Sequence, residues 1–238
     1  MTRAIVVVPT YNEVENLPIL VPAILEQDPR LEVLVVDDGS PDGTGEIADK
    51  LAADEGRVHV LHRESKQGLG PAYRAGLARA LELGADYVIQ MDADFSHPPS
   101  SLPELLEEIQ SHDVVLGSRY LNGITVVNWP IERILISWFG NVYARRISGL
   151  PISDTTGGFR CMRRDLLEKM GFERVRSNGY AFQIEMNYRF VKQGARIKEI
   201  PFFFVDRTRG TSKLNFRIGL EALWVVWWLR IADALGRL

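Results

Sequence analysis

Ala4-Ile5-Val6-Val7-Val8-Pro9-Thr10-Tyr11-Asn12-Glu13 opens the chain with an apolar run that turns polar within two residues. Four or five apolar residues are too few for a signal-peptide core. They suit a strand buried on both faces, which reads as continuous Val/Ile rather than as an alternation. The same cadence repeats outward. Strand-like runs fall at 33–36, 58–61, 87–91 and 114–116, with helix-like stretches near 13–27, 43–54, 69–83 and 99–110. A repeat of about 25–30 residues is that of βαβ units, so the expected fold is α/β with a mostly parallel sheet. Gly84 is expected to end the third helix.

Beyond residue 118 the pattern loosens. Residues 131–147 form an apolar stretch, broken by Ser137, Gly140 and Asn141, that reads as a helix ended by Gly149-Leu150-Pro151. Residues 155–161 are glycine-rich and read as irregular. Helices are expected near 163–170 and 180–193, a strand near 196–205, and one last helix from 215 to about 236. The expected organisation is one compact domain, 1–213, followed by an amphipathic helical appendage, 214–238.

The 238 residues, 46% hydrophobic and 25% charged, have an ordinary globular composition that excludes a disordered chain. Cys161 is the one cysteine. It has no partner for a disulfide, zinc or redox motif, which suggests a reducing compartment, and it is expected to be a small, partly buried residue. No segment approaches the ~20 apolar residues of a membrane span; the longest candidate, 222–229, lies between Glu221 and Arg230. The net charge of −3 hides an asymmetry. Residues 1–118 carry 21 acidic and 8 basic side chains, and residues 119–238 carry 10 and 20. An acidic half suits a metal ion, and a basic half suits phosphates or an anionic surface. Nothing points to a nucleic-acid partner.

Ligands of parallel α/β sheets bind beyond the carboxyl ends of the strands, and four strand ends carry polar residues: Pro9 to Glu13, Asp37-Asp38-Gly39-Ser40, Asp92-Ala93-Asp94 and Gly117-Ser118-Arg119-Tyr120. In an extended segment Asp92 and Asp94 point the same way. Two adjacent carboxylates repel unless a cation lies between them, and Mg²⁺ or Mn²⁺ is the natural choice. The competing reading is a turn with Asp as a helix cap. Asp37 and Asp38 offer carboxylates to a nucleotide, or make a tight Asp-Gly turn. Tyr11 and Glu13 can stack on and hydrogen-bond a base; alternatively the segment is a helix start capped by Asn12. Neither GxGxxG nor GxxxxGK[ST] occurs, which argues against a dinucleotide oxidoreductase or a P-loop kinase.

The segments VVPTYNEVENL (7–17), VVDDGSPDGT (35–44), MDADFSHPP (91–99), GSRY (117–120), NWPIERILIS (128–137), DTTGGF (154–159) and RTRGTSKL (207–214) resemble the inverting GT-A glycosyltransferases of family 2. The resemblance is greatest to the dolichol-phosphate or polyprenol-phosphate mannose synthase branch. It implies a Rossmann-like GT-A fold and transfer of mannose from GDP-mannose to a polyprenyl phosphate. It implies nucleotide-sugar contacts at Pro9, Tyr11, Glu13, Val36, Asp38, Asp92, Ala93, Asp94, Arg207 and Lys213. It places the metal at Asp94 and Asp92, and the acceptor phosphate at Arg119, Arg133 and Ser137. Many relatives carry Gln where this chain has Ser96, so that metal position falls to a weaker hydroxyl or to water. Gly157 stands where the family often has serine.

The chemistry of the residues agrees. A departing diphosphate needs a metal or fixed cations. A phosphate acceptor is mostly dianionic at neutral pH, with a second pKa of about 6, and needs positioning rather than a strong base; Arg119 and Arg133 can supply forked hydrogen bonds. Asp92, Asp94, Arg119 and Arg133 are therefore the expected catalytic set. A hydroxyl acceptor would need a base, for which Asp154 is the candidate; it reads better as a turn carboxylate or the partner of an arginine. His97 is expected to fix the turn around Pro98 and Pro99. The alternatives are UDP-glucose as donor, a hydroxyl acceptor, or a nucleotide-sugar-binding scaffold without turnover.

A polyprenyl phosphate lives in a bilayer. Trp224, Trp227 and Trp228 suit the headgroup level, Arg217, Arg230 and Arg237 can meet anionic lipid, and Trp138 and Phe139 offer a second greasy surface near Arg133. Either these helices pack on the sheet, or the protein is peripheral on the cytoplasmic face of the membrane, directly or through a separate membrane-anchoring protein.

Overall fold

In the computed structural model, residues 2–206 and 216–238 are described, the side chains of 216–222 excepted. Arg207, Lys213 and the side chain of Arg217 lie outside the described residues. Each Val/Ile run of the first half becomes a strand, and the order is β1 (Ala4–Thr10), α1 (Leu17–Leu25), β2 (Leu31–Asp37), α2 (Thr44–Asp54), β3 (Val58–His62), α3 (Leu69–Glu82), β4 (Tyr87–Gln90), α4 (Leu102–Glu108) and β5 (Val114–Ser118). There follow β6 (Val126–Val127), α5 (Ile131–Ser148), β7 (Arg160–Arg163), α6 (Arg164–Met170), α7 (Gly179–Lys192), β8 (Ile197–Pro201), β9 (Phe204–Val205) and α8 (Phe216–Ala234).

Among the described residues the main sheet has seven strands in the order β3-β2-β1-β4-β7-β5-β8, and β6 pairs with β9 in a separate ribbon. Pairings are parallel except those of β7, which runs antiparallel between β4 and β5. This corrects the expectation for 155–161: the segment enters the sheet at Arg160, and Cys161 and Met162 send their side chains to opposite cores. Cys161 is wholly buried.

Side chains alternate across the strands. Ile5, Val7, Leu34 and Val36 face the layer holding α3, α6, α7 and α8, whereas Val6, Val8, Val33 and Val35 face α1, α2 and α4. At about 25 cal/mol per Å² of apolar burial, these double-faced strands supply the main stabilisation. Gly84 ends α3 at φ +85°, and Gly149 caps α5 at φ +73°, a conformation glycine adopts without a Cβ penalty. Helix α8 packs on α7 and α5 through buried Val225, Val226 and Leu229. Its opposite side carries exposed Leu223, Trp224, Trp227, Ile231 and Leu235, so the helix is apolar on both faces. No helix among the described residues is long and apolar enough to cross a membrane.

Candidate active site

The carboxyl ends of β1, β2, β4 and β5 lie along one edge of the sheet, and strand order reverses between β1 and β4. A crevice opens outside such a reversal. The residues singled out above divide there into three groups.

The first group follows β1 and β2. The two adjacent acids have different tasks. Asp37 Oδ1 accepts from Ser40 Oγ at 2.5 Å and from Thr10 Oγ1 at 3.2 Å, and its Oδ2 accepts from the Ser40 N–H at 3.1 Å. It therefore builds the turn. Gly39 at φ +68° completes that turn, where a Cβ would lie 3.1 Å from the Glu64 carbonyl oxygen. Asp38 instead pairs with Arg63. Burial pushes its carboxyl up, against the opposing pull of Arg63. The Lys66 ammonium lies 4.1 Å from the Tyr11 ring centroid. The Glu13 N–H donates to Thr44 Oγ1 at 2.9 Å, and Glu13 Oε2 accepts from Asn16 Nδ2 at 2.7 Å. Asn12 does not cap α1, which corrects that reading. It is left-handed at φ +59°, and the N-cap position belongs to Asn16. Val36 is wholly buried, so any ligand contact it makes runs through its backbone; Pro9 is half-buried beside it.

The second group follows β4. Asp92, Ala93 and Asp94 leave the strand as a turn rather than continuing extended, and Phe95 is held at φ +61°, an uncommon conformation for a bulky residue. Asp92 Oδ1 accepts from the Tyr73 hydroxyl at 2.9 Å, and the Asp92 N–H donates to His97 Nδ1 at 3.0 Å. Burial lowers the His97 pKa, so the ring is neutral with its proton on Nε2. It stacks on Phe159 at 4.9 Å. Asp94 Oδ1 accepts from the Ser96 N–H at 3.1 Å. Ser96 Oγ is buried without a hydrogen-bond partner. Two carboxylates and an unsatisfied hydroxyl from one turn are an all-oxygen donor set that fits a hard divalent cation. Among the described residues no group of three or more His, Cys, Asp or Glu side chains is placed to hold a metal ion.

The third group follows β5 and α5. Arg119 is buried against Asp154: Nε reaches Oδ2 at 2.6 Å, Nη2 reaches Oδ1 at 2.8 Å, and the Arg119 N–H adds a bond of 3.1 Å. Nη2 also donates to Thr156 Oγ1 at 2.9 Å. Burial opposes both charges, but their attraction prevails, holding Asp154 low and Arg119 high. With its oxygens taken, Asp154 is the partner of an arginine and not a base. Glu199 holds the Ser153 and Asp154 N–H groups at 2.8 and 3.0 Å. Asn141, a polar residue within the apolar stretch expected to be helical, is buried in α5. Its Oδ1 accepts from the Thr155 N–H and Oγ1 at 2.8 and 2.7 Å.

Ser137 Oγ accepts from the Tyr120 hydroxyl at 2.7 Å. Arg133 Nη1 pairs with Asp206 at 2.7 Å, and its guanidinium lies 4.0 Å from the Trp129 ring centroid. Arg119 lies 6.0 Å from that same ring and 5.4 Å from the Tyr120 ring. Arg119, Arg133 and Ser137 are thus brought together through two aromatic side chains.

Beneath the site is Arg160, which sequence reasoning missed. It is wholly buried and donates to Gly157 O at 2.7 Å, Gln183 Oε1 at 2.6 Å and Asn187 Oδ1 at 3.1 Å. Burial lowers its pKa to about 10. No local pattern announces it, because two of its three partners are on α7.

The chain is similar to known proteins along most of its length. Residues 5–171 match the model of glycosyl transferase family 2. The chain is 47% identical over 221 residues to an undecaprenyl-phosphate mannosyltransferase of Micrococcus luteus, covering 93% of this chain and 91% of that protein. It is 46% identical over 232 residues to a polyprenol monophosphomannose synthase of Mycolicibacterium smegmatis, covering 96% and 88%. Among solved structures, the glucosyl-3-phosphoglycerate synthase of Mycobacterium tuberculosis, in complex with Mn²⁺, UDP and glucosyl-3-phosphoglycerate, superposes with a TM-score of 0.67. At 22% identity, covering 99% of this chain and 80% of that one, the superposition shows a shared GT-A-like fold. With the family model spanning well over half its length, the chain belongs to glycosyl transferase family 2.

Proposed function

We propose that this protein transfers mannose from GDP-mannose to a polyprenyl phosphate, inverting the anomeric centre to give a β-mannosyl phosphate. The observation that carries the reading is the third group of residues. Two guanidiniums and a serine hydroxyl stand at one edge of the site, and the two carboxylates beside them, Asp154 and Asp206, are each paired with an arginine, Arg119 and Arg133. That edge is suited to an anionic nucleophile and unsuited to a hydroxyl acceptor, which would need a free base. The names of the Micrococcus and Mycolicibacterium relatives support the same donor sugar and acceptor class.

In this reading Asp38, Tyr11 and Glu13 receive the base, with Pro9 and the Val36 backbone lining the cleft. Asp92 and Asp94 would hold Mg²⁺ or Mn²⁺, with Ser96 or water adding an oxygen. When bound, the ion neutralises charge developing on the departing diphosphate. Arg207 and Lys213 are proposed to assist from the donor side. Arg133, Ser137 and Arg119 orient the acceptor phosphate for in-line attack at C1, which is a contribution of positioning rather than of proton transfer. The Tyr120 phenol, the more acidic hydroxyl of its pair, donates to Ser137 and leaves the serine proton for the phosphate.

The acceptor's prenyl chain requires a membrane surface nearby. Exposed Ile136 (75%), Phe139 (60%), Trp224 (68%) and Trp227 (51%) on α5 and α8 support peripheral docking of this face. The two helices are joined where Trp227 Nε1 donates to the Tyr143 hydroxyl at 2.8 Å. The test offers the purified protein GDP-mannose or UDP-glucose with a short polyprenyl phosphate and Mg²⁺ or Mn²⁺. A mannosyl lipid formed from GDP-mannose alone is expected; a glucosyl lipid, or mannose transferred only to hydroxyl acceptors, would overturn the assignment.

A further inference from the structure

Within Asn128-Trp129-Pro130 to Ser137, the proposed function assigns Arg133 and Ser137 but leaves Trp129 without a task. The indole is placed with unusual care. The Arg133 guanidinium lies 4.0 Å from its centroid, and the Arg119 guanidinium 6.0 Å. One ring therefore contacts both cations of the acceptor edge. Phe204 packs edge-on against it at 5.2 Å. Phe204, itself 5.5 Å from the Arg119 guanidinium, is on β9, which pairs with β6 just before Trp129, so the small ribbon helps hold the ring.

Two like charges drawn to one anion site repel each other when the anion is away. Asp154 and Asp206 each offset one of them, and an electron-rich ring face attracts both. The choice of tryptophan is itself informative. Its Nε1 is buried without a hydrogen-bond partner, as is Arg133 Nε. A buried, unpaired N–H is destabilising, and phenylalanine would fill much of the space without one. Core filling does not account for the indole. Its stronger attraction for cations does.

We propose that Trp129 is a positioning residue that holds Arg133 beside Arg119, so that the two guanidiniums act as one clamp on the acceptor's phosphate. The proposal rests on the acceptor site described above. Trp129 acts through Arg133, not by touching the reacting atoms.

The test uses the full chain with GDP-mannose and a short polyprenyl phosphate. Trp129→Leu is expected to raise the acceptor KM roughly tenfold, the scale of a partly desolvated cation–π contact. The donor KM and kcat should stay within about twofold, and Trp129→Phe should recover only part of the loss, because its ring face attracts cations less strongly. In an Arg133→Ala background the leucine change should add nothing further. Fluorinated tryptophans incorporated at position 129 keep the ring shape while weakening its face; the acceptor KM should climb with each fluorine. A raised acceptor KM in Arg133→Ala with none in Trp129→Leu, or a flat fluorine series, overturns the role of Trp129 and leaves the acceptor site standing. Equal losses toward donor and acceptor reduce Trp129 to packing and likewise overturn it. An unchanged acceptor KM in Arg133→Ala overturns the acceptor site itself.

Discussion

Tyr73→Phe removes a single oxygen from a wholly buried ring and isolates how the acid pair is held. The Tyr73 hydroxyl donates to Asp92 Oδ1 at 2.9 Å. Burial, and then the charge of Asp92, push the phenol well above its ordinary range, so it stays a donor at every working pH. A hydrogen bond to a charged group contributes about 1.5–3 kcal/mol, which is roughly 10–150-fold in an equilibrium constant. Partners standing behind metal ligands cost about 10–100-fold in metal affinity when removed. Asp92 is half-buried, so water replaces part of the lost bond and the expected effect is near tenfold. The stacking of ring 73 on Phe182, 6.0 Å between centroids, survives in phenylalanine, so the stability lost in unfolding should be that of the one hydrogen bond, about 1.5–3 kcal/mol. Initial rates against Mn²⁺ concentration at saturating GDP-mannose and acceptor would show a half-saturation about tenfold higher, with kcat restored at high metal. An unchanged metal dependence, or a loss that no metal concentration recovers, would refute the claim that Asp92 is positioned by Tyr73 for a cation.

Other outcomes follow from the same geometry. Asp154→Asn leaves Arg119 buried without its counter-charge and should cost about 3–5 kcal/mol of stability in urea unfolding at neutral pH. Because Asp154 titrates below its unfolded value, its contribution is complete above about pH 4 and is lost as pH falls through the folded value; the variant should lack that part of the acid limb. Tyr120→Phe should raise the acceptor KM by about 2–10-fold without altering the donor KM, the loss of one neutral hydrogen bond to Ser137. Changing both Trp224 and Trp227 to Ser should lower flotation with anionic vesicles about tenfold or more while leaving transfer to a short, water-soluble acceptor intact. The Cys161 thiol, pushed up by complete burial, should resist thiol reagents until the chain unfolds.

The parallel half of the sheet is legible because strands covered on both faces must be apolar throughout, and β1, β2 and β4 say so in Val and Ile. β7 is not legible. It has four residues, two of them arginines, and Arg160 can be buried only because Gln183 and Asn187 wait for it on a helix more than twenty residues away. The acids at the strand ends were found from their positions, but not their division of labour. That Asp37 closes a turn while Asp38 meets Arg63 depends on a residue from the end of β3. The spacing of Asp92 and Asp94 reads as extended backbone; Phe95 at positive φ turns the segment instead, and such a conformation leaves no periodic trace. The helix over 131–147 is legible, but the task of Asn141 within it is not, because its partner, Thr155, is on a separate loop.

A crystal of the protein grown with GDP-mannose and Mn²⁺, measured at the manganese absorption edge, would show whether the acid turn and the donor's diphosphate share one ion. One anomalous peak is expected where the Asp92–Asp94 turn meets the donor's diphosphate, bonded to carboxylate oxygen from that turn and to phosphate oxygen. A diphosphate bound away from this turn, with no manganese between them, would contradict the account.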